Sequence, residues 1–112
     1  ALLERYDRGV PVAADILKAP HHCSRTSSSE SFVKAVSPRW VICSVGHRNR
    51  FGFPHAEVLA RYRDLGSMIL RTDEDGAVRV AISAEGGLKV EHFPRPIAHT
   101  VHFPLALKAV QR

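Results

Sequence analysis

Between residues 14 and 71, apolar runs of strand length alternate with apolar stripes of helical spacing. The centre of this pattern is Trp40 to Val45, a nearly continuous apolar run that predicts a strand buried on both faces. On its N-terminal side, Ser27-x-x-Glu30 has the form of a capping box. It opens a helix with Phe32, Val33 and Val36 on its apolar face, closed by Ser37-Pro38. On its C-terminal side, Pro54 takes the favoured first helical position. Val58, Leu59, Tyr62 and Leu65 then form a stripe, and Gly66 stops the helix. Ala14–Lys18 and Met68–Arg71 read as the outer strands. A β-α-β-α-β order implies parallel neighbours joined by right-handed crossovers. The predicted fold class is therefore α/β.

The flanks are less regular. Ala1 to Arg8 reads as the end of a helix with Leu2, Leu3 and Tyr6 on one face, so the chain is expected to be a piece of something longer. Asp73-Glu74-Asp75-Gly76 carries the D-G turn signature. Ala77 to Ser83 and Leu88 to Phe93, joined by Glu85-Gly86-Gly87, are expected to form edge hairpins. Beyond Pro94 the pattern dissolves, which divides the chain into a body of residues 1–96 and a tail of 97–112.

At 112 residues with 45% hydrophobic content, the chain can build one modest core. No signal peptide is visible, and no apolar run approaches the length needed to span a membrane. Arginine supplies 12 of the 16 basic residues, and the net charge is +5. Planar guanidinium groups suit phosphate, so nucleic acid is one candidate partner. Cys23 and Cys43 are expected to be free, partly buried thiols, since two cysteines make no disulfide framework; a disulfide that nothing in the spacing requires, and a Cys/His zinc site including Cys23, are the alternatives.

In parallel sheets, ligands gather at the C-terminal ends of the strands. Three loops leave such ends. The first, Pro20 to Ser28, holds His21, His22, Ser24, Arg25 and Thr26. The second, Gly46 to Phe53, holds His47, Arg48, Asn49 and Arg50, with His55 just beyond. The third holds Thr72, Asp73 and Asp75, which are most simply turn residues. Adjacent residues of an extended segment point to opposite sides, so His21 and His22 are not expected to bind one ion in the same way. Hydroxyls before a helix are usually caps. The same helix end also attracts phosphate, with Arg25 beside it.

In order along the chain, these motifs resemble one family. Leu17-Lys18-Ala19-Pro20-His21-His22-Cys23-Ser24-Arg25-Thr26-Ser27-Ser28 is similar to the "LK-x-x-HHGS-x-x-S" motif of the metallo-β-lactamase-like domain in ComEC competence proteins. These are membrane proteins of DNA internalisation. Ser37-Pro38-Arg39, Ser44-Val45-Gly46, Asn49-Arg50-Phe51-Gly52 and Pro54-His55 resemble that domain's "SP-R … SVG-x-x-N-x-(Y/F)-G-x-P-H" stretch. Arg71-Thr72-Asp73 with Gly76 resembles its "RT-D … G" hairpin.

The resemblance implies the C-terminal half of a four-layer αββα sandwich. It implies a nuclease using a divalent metal, Zn or Mn, to degrade the DNA strand that is not taken up. His22 would be a metal ligand and His21 its catalytic neighbour, while Ser24, Arg25, Thr26, Arg48, Asn49 and Arg50 would face phosphate. The partners implied are DNA and the rest of a parent protein in the bacterial inner membrane, on either face. A homodimer is a further possibility for an isolated half-fold.

Two departures bear on the chemistry. The family's H-x-H-x-D-H cluster and its "GD" aspartate are absent from these 112 residues, so the chain alone is expected to be inactive. Cys23 stands where the family has Gly, a position that strains a side chain if φ is positive. Phe53 stands where many relatives have His. The rival expectation is a non-catalytic module that binds DNA through Arg25, Arg48 and Arg50, or one that is purely structural.

Overall fold

The computed structural model describes residues 2–93 and 99–103. Helix α1 (Leu2–Asp7) leads to strand β1 (Ile16–Lys18), helix α2 (Glu30–Val36), strand β2 (Trp40–Cys43), helix α3 (Ala56–Asp64) and strand β3 (Met68–Arg71). A single helical turn, α4 (Thr72–Asp75), follows, and then β4 (Ala77–Ile82), β5 (Leu88–Phe93) and β6 (His99–Phe103). Among the described residues, no helix is long and apolar enough to cross a membrane.

Strands β1, β2 and β3 form a parallel sheet in that order, with Ile16 opposite Trp40 and Trp40 opposite Met68. The period-2 alternation of side chains gives this sheet two apolar faces. Leu17, Val41 and Cys43 point toward the helices, where they pack with Phe32, Val33 and Val36 of α2 and Val58, Leu59 and Tyr62 of α3. Ile16, Trp40 and Leu70 point the other way. The expectation of a strand buried on both sides thus holds for β2.

The last strands depart from the edge-hairpin expectation. β4, β5 and β6 make an antiparallel sheet of their own. Leu88 and Val90, helped by Val78 and Val80, cover the Ile16–Trp40–Leu70 face. The physical reason is that an apolar sheet face must be covered, and β4 offers Val78 and Val80, and β5 Leu88 and Val90, at alternate positions. The protein is therefore mixed α/β, layered as helices, parallel sheet and antiparallel sheet. Strand β6 adds to β5 within the expected tail. Residues 94–98 and 104–112 of that region lie outside the described residues.

Three helix details also differ from expectation. Ser29, not Ser27, is the N-cap of α2, its hydroxyl accepting from the Phe32 N–H at 3.3 Å. Ser27 instead donates to the Pro20 carbonyl at 2.9 Å, so its hydroxyl is spent on the preceding turn. Helix α3 starts at Ala56 rather than Pro54, after a cis Phe53–Pro54 bond and with His55 as its cap. Leu65 follows the last helical residue and is exposed, outside the apolar stripe. Gly66, at φ 80°, does terminate the helix in the left-handed conformation expected of it.

The helix layer contains one buried polar pair, the Tyr62 hydroxyl and Ser28 Oγ at 3.2 Å. Burial pushes the Tyr62 phenol above its ordinary value near 10. The folded state thus holds this proton more tightly than the unfolded chain does. The resulting stability is intact below about pH 10 and is lost as the pH rises through the folded-state value. Chemical denaturation between pH 8 and about pH 11 should show a falling limb. Tyr62→Phe should flatten that limb and cost about 1 kcal/mol at neutral pH.

Candidate functional site at the strand ends

Strand β1 ends in a tight 3₁₀ turn, Pro20–Cys23. Three successive non-glycine residues there are left-handed, with φ of 46° at His21, 55° at His22 and 62° at Cys23. Each such residue costs on the order of 1–3 kcal/mol and persists only where its surroundings over-determine it. The expectation of an extended segment at this point is therefore wrong. A left-handed turn does not throw neighbouring side chains to opposite sides, and both imidazoles line one groove, ring centroids 6.2 Å apart.

The surroundings hold the turn from three directions. Cys23 is disulfide-bonded to Cys43 at the end of β2, with Cα atoms 5.8 Å apart. Both cysteines are fully buried. This overturns the expectation of free thiols: spacing along the chain carries no signal, because the pairing depends on β1 and β2 lying side by side. From α3, the His55 N–H donates to the Cys23 carbonyl at 3.2 Å, and His55 Nδ1 accepts from the Arg25 N–H at 3.0 Å. From the hydroxyl-rich run, Ser27 Oγ reaches the carbonyls of Pro20 and Ser24.

His22 and His55 have opposite proton placements. His22 Nδ1 lies 2.6 Å from the Ser44 carbonyl oxygen. A carbonyl can only accept, so Nδ1 carries a proton, and in the neutral tautomer this selects, the lone pair lies on Nε2. That is the posture of a metal-ligating imidazole whose other nitrogen is anchored. At His55 the Nδ1 lone pair is committed to the Arg25 N–H. Its proton sits on Nε2, and the ring serves as a joint between α3 and the turn.

The remaining polar residues divide. Ser24 is buried, and its hydroxyl meets Thr26 Oγ1 at 2.9 Å. Arg25 is exposed and pairs with Glu57 at 3.3 Å. Arg48 and Arg50 are exposed on the second loop. Asn49 staples that loop: its Nδ2 donates to the carbonyls of Gly46 and Phe53, and its Oδ1 accepts from the Phe53 N–H at 2.9 Å. On the third loop, Arg71 makes a two-pronged contact with Asp73 at 3.1 and 2.8 Å. Those hydrogen bonds hold the Asp73 carboxyl below the usual carboxylate range. Asp75 accepts from the Arg71 N–H. Thr72 bridges to Val45, accepting from its N–H at 2.7 Å and donating to its carbonyl at 2.8 Å. Both aspartates are thus turn residues, as expected.

The groove that gathers these elements has a volume of about 540 Å³ and is lined by His21, His22, Val45, Gly46, Asn49, Phe51 and Phe53. Ser24, Arg25 and Thr26 lie outside that lining. Phe53 is its hub. Its ring centroid lies 5.7 Å from that of His21, 6.2 Å from His22, 5.7 Å from Phe51 and 5.1 Å from His55. From the sequence alone Phe53 is visible only as a phenyl group in place of a histidine, and Phe51 has no assigned role. The available signal was the Phe-x-Phe pair inside a basic loop. Among the described residues, no group of three or more His, Cys, Asp or Glu side chains converges to hold a metal ion.

No protein-family profile and no solved structure matches the chain. Curated relatives do. The chain is 37% identical over 68 residues to "ComE operon protein 3" of Bacillus subtilis and 38% identical over 78 residues to "Competence protein ComA" of Neisseria gonorrhoeae. It is 39% identical over 66 residues to "Recombination protein 2" of Haemophilus influenzae. These matches cover 61%, 70% and 59% of this chain but only 9%, 11% and 8% of the relatives. The chain thus spans about a tenth of the length of each of these relatives.

The disulfide closes a loop with a sequence separation of 20. A loop of that length is worth about 3 kcal/mol. Replacing both cysteines by alanine, or reducing the wild type, should lower the denaturation free energy by about that amount. With Cys43→Ala in place, Cys23→Gly should be more stable than Cys23→Ala by about 1 kcal/mol, because glycine accepts the left-handed conformation. Urea titration with and without reductant checks both.

Proposed function

We propose that this chain is part of a metallo-β-lactamase-like αββα domain in a ComEC-type DNA-uptake protein, and that it contributes one edge of a metal-dependent nuclease site. The layer order supports this, since helices, parallel sheet and antiparallel sheet are three successive layers of such a sandwich. The observation that carries the reading is the anchored imidazole of His22. The Ser44 carbonyl fixes the proton on Nδ1 and leaves Nε2 available in the groove.

Within this reading His22 is a metal ligand, and His21 is a catalytic neighbour beside the reacting phosphate. The donor set fits a share of a site rather than a whole one. Two histidines are fewer ligands than Zn or Mn needs, and the relatives are long enough to supply the rest from chain outside residues 1–112. When bound, the metal supplies an activated water for attack on a phosphodiester. Arg48 and Arg50 extend from the exposed loop toward phosphate, and Arg25 can exchange its Glu57 partner for one. Ser24 and Thr26 shape the turn that presents Arg25, and Asn49 fixes the loop that presents Arg48 and Arg50.

The buried Cys23–Cys43 bond favours an oxidising compartment. It supports, within the reading, a position on the outer face of the inner membrane, attached to the rest of the parent protein. A homodimer of the isolated chain remains a proposal for its solution state. A second reading, DNA binding without cleavage, is favoured by the exposure of Arg48 and Arg50 and the +5 net charge.

The test is nuclease activity of the parent domain, with Mn²⁺ or Zn²⁺ supplied after chelation. His22→Ala should reduce cleavage by about 100-fold or more. The 112-residue chain alone should not cut. Cleavage by the parent that ignores chelator, or that survives His22→Ala, counts against the nuclease reading. Clear metal-dependent cutting by the chain alone counts against a site shared with other segments. Salt-sensitive DNA binding without cleavage, unaffected by His21→Ala and His22→Ala, would favour the second reading.

A further inference from the structure

Phe51 is the most exposed of the large apolar side chains in the described part of the protein, at 63%. Singly exposed apolar residues are common and carry no message. Phe51 differs in its company and in its support. Its ring stacks on Phe53 at an interplanar angle of 25°, and the Arg50 guanidinium lies over it, 5.3 Å from the centroid. Phe53 in turn stacks at 26° on His22. The result is a run of near-parallel ring planes, Phe51, Phe53 and His22, leading along the groove to the histidine pair.

The loop presenting this surface is built. Asn49 ties its two ends with three hydrogen bonds, to Gly46 and Phe53. Gly52 makes the turn at φ 70°, and Thr72 holds Val45 at the loop's base. The exposed ring is therefore carried on a fixed support. Its groove, at about 540 Å³, lies within the range of about 300–1,000 Å³ typical of ligand sites.

We infer that Phe51 and Phe53, with the Arg50 guanidinium over the Phe51 ring, form a stacking subsite for an unpaired base of a single-stranded nucleic acid, the base taking the place of the guanidinium on that ring. The inference deepens the nuclease reading and rests on it for the choice of ligand. Aromatic planes interleaved with arginines are how single strands are held without sequence readout. Every base offers a π-face to the rings, and the cations take the phosphates. Arg48 and Arg50 supply that charge on the same loop. A duplex keeps its bases stacked inside, so it cannot use the rings. The platform thus gives the site a preference for single strands and places a base next to the phosphate that faces His21 and His22.

The experiment uses the 112-residue chain in EDTA, so that no hydrolysis occurs, with the variants compared at one salt concentration and then across a salt series. The probe is a short oligodeoxynucleotide carrying 2-aminopurine, compared with its duplex and with an abasic version. Binding is read by anisotropy, and stacking by quenching of the 2-aminopurine. The wild type should prefer the single strand and quench the probe. Phe51→Ala should weaken single-strand binding by about 5- to 100-fold, and Phe51→Trp should keep it. The abasic strand should bind about as weakly to the wild type as the intact strand does to Phe51→Ala. Arg48→Ala should weaken intact and abasic strands alike and flatten the salt dependence.

Unchanged affinity in Phe51→Ala overturns the subsite. So does duplex binding as tight as single-strand binding, or no measurable binding at all. Phe51 is exposed, so its variants should melt with the wild type, and a lowered melting temperature would disqualify that variant in favour of Phe51→Trp and the abasic strand. The two proposals fail separately. A failed platform leaves metal-dependent cleavage by the parent domain in place, and a failed nuclease reading leaves base-dependent binding in EDTA.

Discussion

The Cys23–Cys43 bond is the constraint on which the rest of the site depends. It fastens a turn of three left-handed residues to the end of the central strand. Together with the hydrogen bonds of His55 and Ser27, it opposes relaxation of the left-handed backbone at His21, His22 and Cys23. With it, the carbonyl of Ser44, just past Cys43 on β2, lies within reach of His22 Nδ1. A covalent link between neighbouring strands is thereby converted into a defined proton position on a ring. The glycine expected at residue 23 would obtain the same backbone without cost but would supply no tether. Here the side chain accepts the strain of a positive φ and gains an anchor.

A second dependency runs through the parallel sheet. Trp40 and Val41 are adjacent on β2 and serve different cores, one against the antiparallel sheet and one against the helices. The parallel sheet lies between the two cores, and its in-register pairing brings the ends of β1, β2 and β3 to one edge. The three loops that leave those ends are cross-tied: Thr72 of the third grips Val45 at the base of the second, and His55 after the second grips the first. The site is a property of those ties more than of any one loop.

The sequence made the α/β alternation legible because strand and helix periods are local signals. Trp40 to Cys43 and the Val58–Leu59–Tyr62 stripe stand where their patterns place them. The second sheet was not legible, since alternation in β4 and β5 shows an apolar face without saying what it covers. The caps of α2 and α3 were misplaced by two residues because several hydroxyls, or a proline and a histidine, compete for each start. At the site, the polar residues of the rim were visible as residue types. Their division of labour was not. Whether Asn49 faces a phosphate or staples a loop depends on where the Gly46 and Phe53 backbone lies, which only the folded chain defines. The disulfide was hidden for the same reason.

Phe53 joins these threads. Where a histidine would add a proton-carrying group, a phenyl ring here adds a surface that four other rings touch. Aromatic edges and faces set mutual orientation at separations of about 4.5–7 Å, so the planes of His21, His22, Phe51 and His55 are each referred to one ring. The stacking face at Phe51 and the free nitrogen of His22 are then fixed relative to each other through a single half-buried ring. Changing that one ring would disturb imidazole orientation and the stacking surface together, while changing Phe51 would disturb only the latter. That asymmetry separates a residue that positions the site from one that would touch its ligand.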